Sequence, residues 1–233
     1  MTFLTRDYEP ALVRFLASRL SGGGVFVDVG AHVGLVSLSV ASRCRSVGVE
    51  VHAFEPDPRN AADFRKNLEL NPGLKVVLNE VAVGSRRETV VLRRAGETER
   101  ACASIVAAEA PEGEDEFRVE TISLTAYAGQ RGLSAIDVLK VDVEGYEQVV
   151  LDGAEELLAE GRIRWIVCEL NDERLAAAGS SREELYRRLG RHGCLPGRIP
   201  NLGLRRVIPP GPRQDEDVPF HCGHSLDKPA SSG

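Results

Sequence analysis

Long apolar runs are missing from this chain. No stretch approaches the 18 or so consecutive apolar residues that a membrane-spanning helix needs, and Asp7 and Glu9 stand where a secretory signal would be apolar. Lysine is nearly absent as well. Of 29 basic residues only Lys66, Lys75, Lys140 and Lys228 are Lys, leaving 29 − 4 = 25 Arg, and 35 acidic residues bring the net charge to −6. With a pI near 5.5 there is no broad basic face for a phosphate backbone, so a nucleic-acid partner is not expected. Cysteine is sparse and unpatterned. Cys44, Cys102, Cys168, Cys194 and Cys222 are odd in number and form no CxxC, which signals neither a disulfide framework nor a zinc site and points to a reducing, cytoplasmic location.

What is present is an ordinary globular composition, 42% hydrophobic and 27% charged, enough to bury a core in a chain of 233 residues. Leu12, Val13, Phe15, Leu16 and Leu20 repeat at helical spacing before Ser21-Gly22-Gly23-Gly24 stops them, so residues 1–21 read as an N-terminal helix packed on the core. Apolar strands are then expected at Val25 to Val29, Val49 to Phe54, Lys75 to Val83, Ile136 to Val141 and Ile163 to Leu170. Helices are expected over Val33 to Ala41, over Pro58 to Leu70, over Glu147 to Ala159 and over Glu183 to Leu189. Continuous apolar strands alternating with helices predict an open, doubly wound, mostly parallel α/β sheet over residues 22–208. Shorter strands at Val90 to Leu92 and Phe117 to Ile122 flank a polar segment, 93–116, that reads as a loop on the substrate side. Residues 202–208 read as an antiparallel edge hairpin, and 209–233 as a Pro-rich tail.

Three strand ends carry chemistry. In VFVDVGAHVG a strand ends near Asp28, Gly30 makes a tight turn, and Gly34 lies where the next helix must approach the sheet. The dinucleotide pattern GxGxxG fails, because its second and third glycines would be His32 and Leu35, which argues against a nicotinamide oxidoreductase. An acidic residue two positions before the first Gly suits a cationic amino group, as in the methionine part of S-adenosylmethionine. The second strand ends VHAFEPDP, where Glu55 is placed to accept ribose hydroxyls, with Pro56 and Asp57 beside it as further candidate cofactor-binding residues. IDVLKVDVEGYEQ brings Lys140, Asp142 and Glu144 to the same edge. Asp142, Glu144 and His32 are the candidate general bases in that order, and Lys140 is a candidate to orient or polarise an acceptor. Glu169 and Asn171, at the next strand end, form with Asp142 a candidate magnesium set. Helix capping or a solvated charged turn is the simpler alternative for the first three motifs, and pairing of Glu169 with an Arg or with substrate is the alternative favoured over a metal. His221-Cys222-Gly223-His224 is one short metal-like cluster in the expected tail, and Cys168 reads as a core residue.

Together VFVDVGAHVGLVSLSVA (25–41), VHAFEPDPRNAADFRKNLELN (51–71) and IDVLKVDVEGYEQVVLDGA (136–154) resemble the FkbM-type methyltransferases of the class I S-adenosylmethionine-dependent fold. The resemblance implies a Rossmann-like seven-strand sheet with an antiparallel final hairpin, in a monomeric or homodimeric enzyme. It further implies O-methylation of a small molecule such as a glycoside or other secondary metabolite. It also assigns Asp28, Gly30, Ala31, His32 and Gly34 to the methionine-side loop, Glu55 to the ribose, and Asn79 through Glu80, Val81 and Ala82 to the adenine wall. The DVEG turn then faces the methyl group, with Ala103-Ser104-Ile105 in a loop over the acceptor. N-methylation of a small amine, and cofactor binding without catalysis, remain as alternatives.

Overall fold

The structure, a computed structural model, describes residues 8–94, 103–106, 116–197 and 216–223. Along the chain α1 (Pro10–Arg19), β1 (Val25–Val29), α2 (Leu35–Arg43), β2 (Glu50–Phe54), α3 (Pro58–Glu69) and β3 (Val76–Asn79) alternate. Four strands follow, β4 (Ala82–Val83), β5 (Thr89–Arg94), β6 (Ala103–Val106) and β7 (Glu116–Ile122). Then come α4 (Leu124–Arg131), β8 (Ile136–Val141), α5 (Glu147–Asp152), α6 (Glu155–Ala159), β9 (Ile163–Leu170), α7 (Asp172–Ala177), α8 (Arg182–Arg191), β10 (Cys194–Pro196) and β11 (Glu216–Cys222).

The main sheet has the order β10-β11-β9-β8-β1-β2-β3, as the expected doubly wound class requires. Its centre is parallel, while β11 runs antiparallel to both β9 and β10. Alternation of side chains along β1 explains why both faces are covered. Phe26 packs with Leu12 and Leu16 of α1 and Val36 and Val40 of α2. Val27 and Val29 pack on the other face with Leu124, Val150 and Leu151. From β1 the chain moves outward to β2 and β3, then returns to place β8 on the other side of β1. That reversal makes the carboxyl ends of β1 and β8 the topological switch point, where such sheets bind ligands.

Several expectations are corrected. The run from Lys75 to Val83 is two strands in different sheets, because the chain turns at Glu80 and Val81 and β4 pairs with β7. The segment 93–116 is not a plain loop. β5, β6 and β7 join β4 in a second sheet of order β4-β7-β5-β6, and Ala103-Ser104-Ile105 belongs to β6. Polar residues such as Arg93, Arg94 and Glu116 hide these strands from hydropathy. The expected helix from Glu147 to Ala159 breaks between α5 and α6, where a Cβ on Gly153 would meet the Gly84 carbonyl oxygen at 2.0 Å.

The largest correction is at the C-terminus. Residues 216–222, read as part of a tail, form β11 inside the main sheet, with Val218, Phe220 and Cys222 buried. Pro219 disguises the strand, since proline is excluded from most interior strands. Here the Pro219 carbonyl accepts the Gly197 N–H at 2.7 Å, so the side of the residue lacking an N–H faces the end of β10 and not β9. Cys194 and Cys222 are paired across β10 and β11 and form a disulfide, Cα to Cα 4.0 Å, which a sequence separation of 28 does not signal. The hairpin expected at 202–208 and His224 lie outside the described residues.

Candidate active site

The first motif forms the turn after β1. The N–H groups of Gly30 and Ala31 both donate to the Phe54 carbonyl at the end of β2, at 3.1 and 2.9 Å. Gly30 has φ +80°, and a Cβ there would lie 1.8 Å from the Asp142 carbonyl oxygen, so this position requires glycine on both counts. Gly34 is needed for a different contact from the expected approach to the sheet. Its Cβ would fall 2.2 Å from the Phe64 ring of α3. His32, also left-handed at φ 52°, donates its N–H to Glu55 Oε2 at 2.7 Å, which ties the first motif to the second.

Glu55 is buried and accepts two further bonds at Oε1, from the Asp57 N–H at 3.0 Å and Asn60 Nδ2 at 3.2 Å. Burial outweighs these donors and pushes its carboxyl up to about 7. Asp57 has another task. It caps α3 through the Arg59 N–H at 2.8 Å and takes a bidentate pair from Arg94 of β5, at 2.6 and 3.0 Å. Burial pushes Asp57 up, but the Arg94 bonds overcome it and hold the carboxyl below its ordinary range. Arg94 also lies over the Phe117 ring at 4.4 Å, so one guanidinium fastens the small sheet to the loop between β2 and α3.

Beneath these loops lies a buried charge cluster. The Lys140 ammonium is 2.8 Å from Asp142 Oδ2 and 3.5 Å from Asp28 Oδ1, and Asp28 Oδ2 accepts the Ser37 hydroxyl at 2.6 Å. Burial disfavours a charged Lys140, yet Asp142 and Asp28 outweigh it and raise the ammonium well above its ordinary value. Asp142 is pushed up by burial and held down more strongly by Lys140 and by a hydrogen bond with Glu169. Burial and that same bond push Glu169 up, so the Asp142 and Glu169 carboxyls share one proton, with Asp142 the ionised partner. Asn171 Oδ1 is committed to the Arg174 N–H at the start of α7, 3.0 Å away. Among the described residues no group of three or more His, Cys, Asp or Glu side chains is arranged for a metal ion, so the expected magnesium set finds no support.

Glu144 takes a left-handed conformation, φ 58°, and its carboxylate pairs with Arg174. The turn is held from below by Glu147, whose Oε1 accepts the N–H groups of Val143 at 3.3 Å and Gly145 at 3.2 Å. Hydropathy gives no hint of this, because Glu147 reads as an ordinary first-turn acid.

Two cavities open at the switch point. The first, about 630 Å³ with its mouth, has apolar walls from Phe54, Val81, Val83, Leu92 and Tyr146 around Glu55. The second, about 310 Å³, is lined by Tyr8, Glu9, Asp28, His32 and Lys140. Gly30 and Asp142 line both. Of the expected site residues, Pro56, Ala82 and Glu144 also face the first cavity and Ala31 the second. Gly34, Asp57 and Glu80 line neither. Glu80 instead pairs with Arg65 on the surface at 2.9 Å. Sequence reading misses Tyr8, Glu9 and Leu92, which reach the site only through tertiary packing of α1 and the second sheet.

An open sheet of this order, with carboxylates at successive strand tips and a divided cleft at the switch point, is the class I methyltransferase architecture. The methyltransferase FkbM domain profile matches residues 28–193, and the chain belongs to this family of S-adenosylmethionine-dependent methyltransferases. It is 31% identical over 179 residues to 31-O-demethyl-FK506 methyltransferase FkbM of Streptomyces tacrolimicus, covering 66% of this chain and 67% of that one. It is 29% identical over 138 residues to 2-O-methyltransferase NoeI of Sinorhizobium fredii, covering 54% and 55%. A third relative, AMB antimetabolite synthetase AmbE of Pseudomonas aeruginosa, is 31% identical over 205 residues, and the match spans 72% of this chain but 9% of that protein. Among solved structures, methyltransferase FkbM from Methylobacillus flagellatus KT superposes with TM-score 0.56 at 14% identity, over 86% of this chain and 44% of that one. An rRNA methylase from Streptococcus thermophilus gives 0.51 at 12% identity, over 91% and 93%; at these identities both show the shared fold alone.

Proposed function

We propose that the protein transfers the methyl group of S-adenosylmethionine to a hydroxyl oxygen of a small molecule, of the sugar or secondary-metabolite type. The observation that carries this reading is the pair of unlike cavities sharing Gly30 and Asp142. The apolar cavity with Glu55 suits adenosine, the ionisable one suits the amino-acid end of the cofactor, and their common wall is where a sulfonium between the two must lie. Relatives named as a 31-O-demethyl-FK506 methyltransferase and a 2-O-methyltransferase support oxygen as the acceptor.

The bound cofactor would supply an activated methyl group on an excellent leaving group, so the chain's own task is mostly alignment, worth on the order of 7–11 kcal/mol in well-ordered reactions. Glu55 accepts the ribose hydroxyls. Asp142, ionised and in the common wall, accepts the acceptor's hydroxyl proton. Its depressed proton affinity makes it a modest base, but it is the only one of the three expected bases lining both cavities. Glu144, paired with Arg174, becomes a hydrogen-bond acceptor for the substrate. His32, confined to the second cavity and held neutral by burial, has no hydrogen-bond partner at Nε2 among the described residues. It orients what enters there.

Calorimetric titration with S-adenosylmethionine tests the reading. Wild type binds, and Glu55→Gln weakens binding at least tenfold. Because Glu55 sits near 7 without ligand and must be ionised to take two hydroxyl donors, wild-type affinity falls as the pH drops below about 7, by at most about tenfold per unit. A folded wild type that does not bind the cofactor overturns the proposal.

A further inference from the structure

Glu9 departs from what its position requires. It stands at the N-cap of α1, and its carbonyl accepts the Val13 N–H at 3.0 Å, yet its side chain makes no capping bond and its φ is 42°. An N-cap side chain ordinarily turns back on the first helical N–H groups, and a left-handed Glu is uncommon. The carboxylate is instead in the wall of the second cavity, with the Tyr8 hydroxyl hydrogen-bonded to it and Lys140, Asp142 and Asp28 facing it.

The charges of that cavity do not balance. Lys140 is already divided between Asp142 and Asp28, His32 is neutral, and Glu9 adds a third carboxyl group to one ammonium. Asp28, fully buried, keeps one oxygen, Oδ1, without a hydrogen-bond donor among the described residues. Burial pushes both Glu9 and Tyr8 up, and the Asp142 carboxylate adds to the rise of each. The missing component is therefore a positively charged donor. At the amino-acid end of S-adenosylmethionine that group is the α-ammonium.

We propose that Glu9, steadied by Tyr8, binds the α-ammonium group of the cofactor, so that the lead-in to α1 is part of the binding site. This rests on the methyltransferase reading above and assigns a ligand that no strand-end motif contains. The cofactor carboxylate then turns from this acidic wall toward the first-turn N–H groups of α2 at Leu35 and Val36, residues of the same cavity.

The test is calorimetric titration of the full chain, as wild type, Glu9→Gln and Tyr8→Phe, with S-adenosylmethionine, S-adenosylhomocysteine and 5′-methylthioadenosine. The last keeps the adenosine and sulfur but has no amino-acid end. Glu9→Gln weakens the first two ligands tenfold or more and leaves methylthioadenosine within twofold of wild type, and Tyr8→Phe gives a smaller loss of the same pattern. Equal losses for all three ligands mean a structural effect and overturn the proposal, as does unchanged affinity for S-adenosylmethionine in a folded Glu9→Gln. Those outcomes leave the methyltransferase reading intact, whereas a folded wild type that binds none of the three refutes both.

Discussion

Replacing Lys140 by Met tests the charge cluster that the site is built on. Lys140 is 3% exposed and Asp28 0%, so the substitution leaves Asp28 buried without its ammonium, next to Asp142 at the cavity wall. Removing one partner of a buried ion pair costs about 3–5 kcal/mol, because the remaining charge is uncompensated. In a chain of this size each kcal/mol moves the thermal midpoint by about 2–4 °C, so the midpoint falls by roughly 6–20 °C. The loss must depend on pH in a defined sense. In wild type the raised Lys140 contributes stability that is lost only as pH climbs through its raised value, and the lowered Asp142 contributes stability lost only as pH falls through its lowered value. Between those limits the contribution is constant. In Lys140→Met the carboxyls gain proton affinity, the folded state takes up protons from pH 8 to pH 5, and the deficit narrows. Urea unfolding at pH 5, 6, 7 and 8 reads this directly, and Lys140→Met/Asp28→Asn recovers more than half of the loss. A deficit below about 1 kcal/mol at pH 7, or one equal at all four pH values, refutes the argument.

Two further substitutions probe the chemistry and the turn. Asp142→Asn lowers turnover at saturating cofactor by about 10²- to 10⁴-fold, and the wild-type rate stays flat from pH 6 to 8 because Asp142 titrates well below that range; an inflection on the acid side of the ordinary imidazole value, the direction in which burial moves His32, would hand the base role to that residue. Gly30→Ala forces a Cβ to 1.8 Å from the Asp142 carbonyl at φ +80°, so it abolishes cofactor binding and lowers stability by more than about 1 kcal/mol, measured by titration and melting.

The parallel core was legible because each of its strands is a continuous apolar run next to a helix-spaced one, and Asp28, Glu55 and Asp142 were legible because they end those runs. What escaped depends on partners far along the chain. Asp57 reads as a ribose-side residue until Arg94, 37 positions on, is seen to occupy it. Glu144 reads as a base until Arg174 arrives from α7. β11 escaped because Pro219 breaks its pattern and because its neighbour β9 is paired from a distant segment. Glu9 escaped for a similar reason, since nothing local distinguishes a capping acid from one turned into a cavity.

The segment between β5 and β7 leaves and rejoins the small sheet at one place. Arg93 and Glu116 are directly opposed in β5 and β7, and Arg93 Nε bonds Glu116 Oε1 at 2.8 Å, so the 22 residues between them begin and end at the same point. Within that segment β6 pairs back onto β5, so its length can change at small cost in closure entropy provided this ladder is kept. Beside it, the Arg94 clasp on Asp57 ties β5 to the start of α3. Grafting the corresponding segment of another family member between these two positions, with Arg94 and the β5–β6 ladder retained, is expected to leave the main sheet and its cleft unchanged.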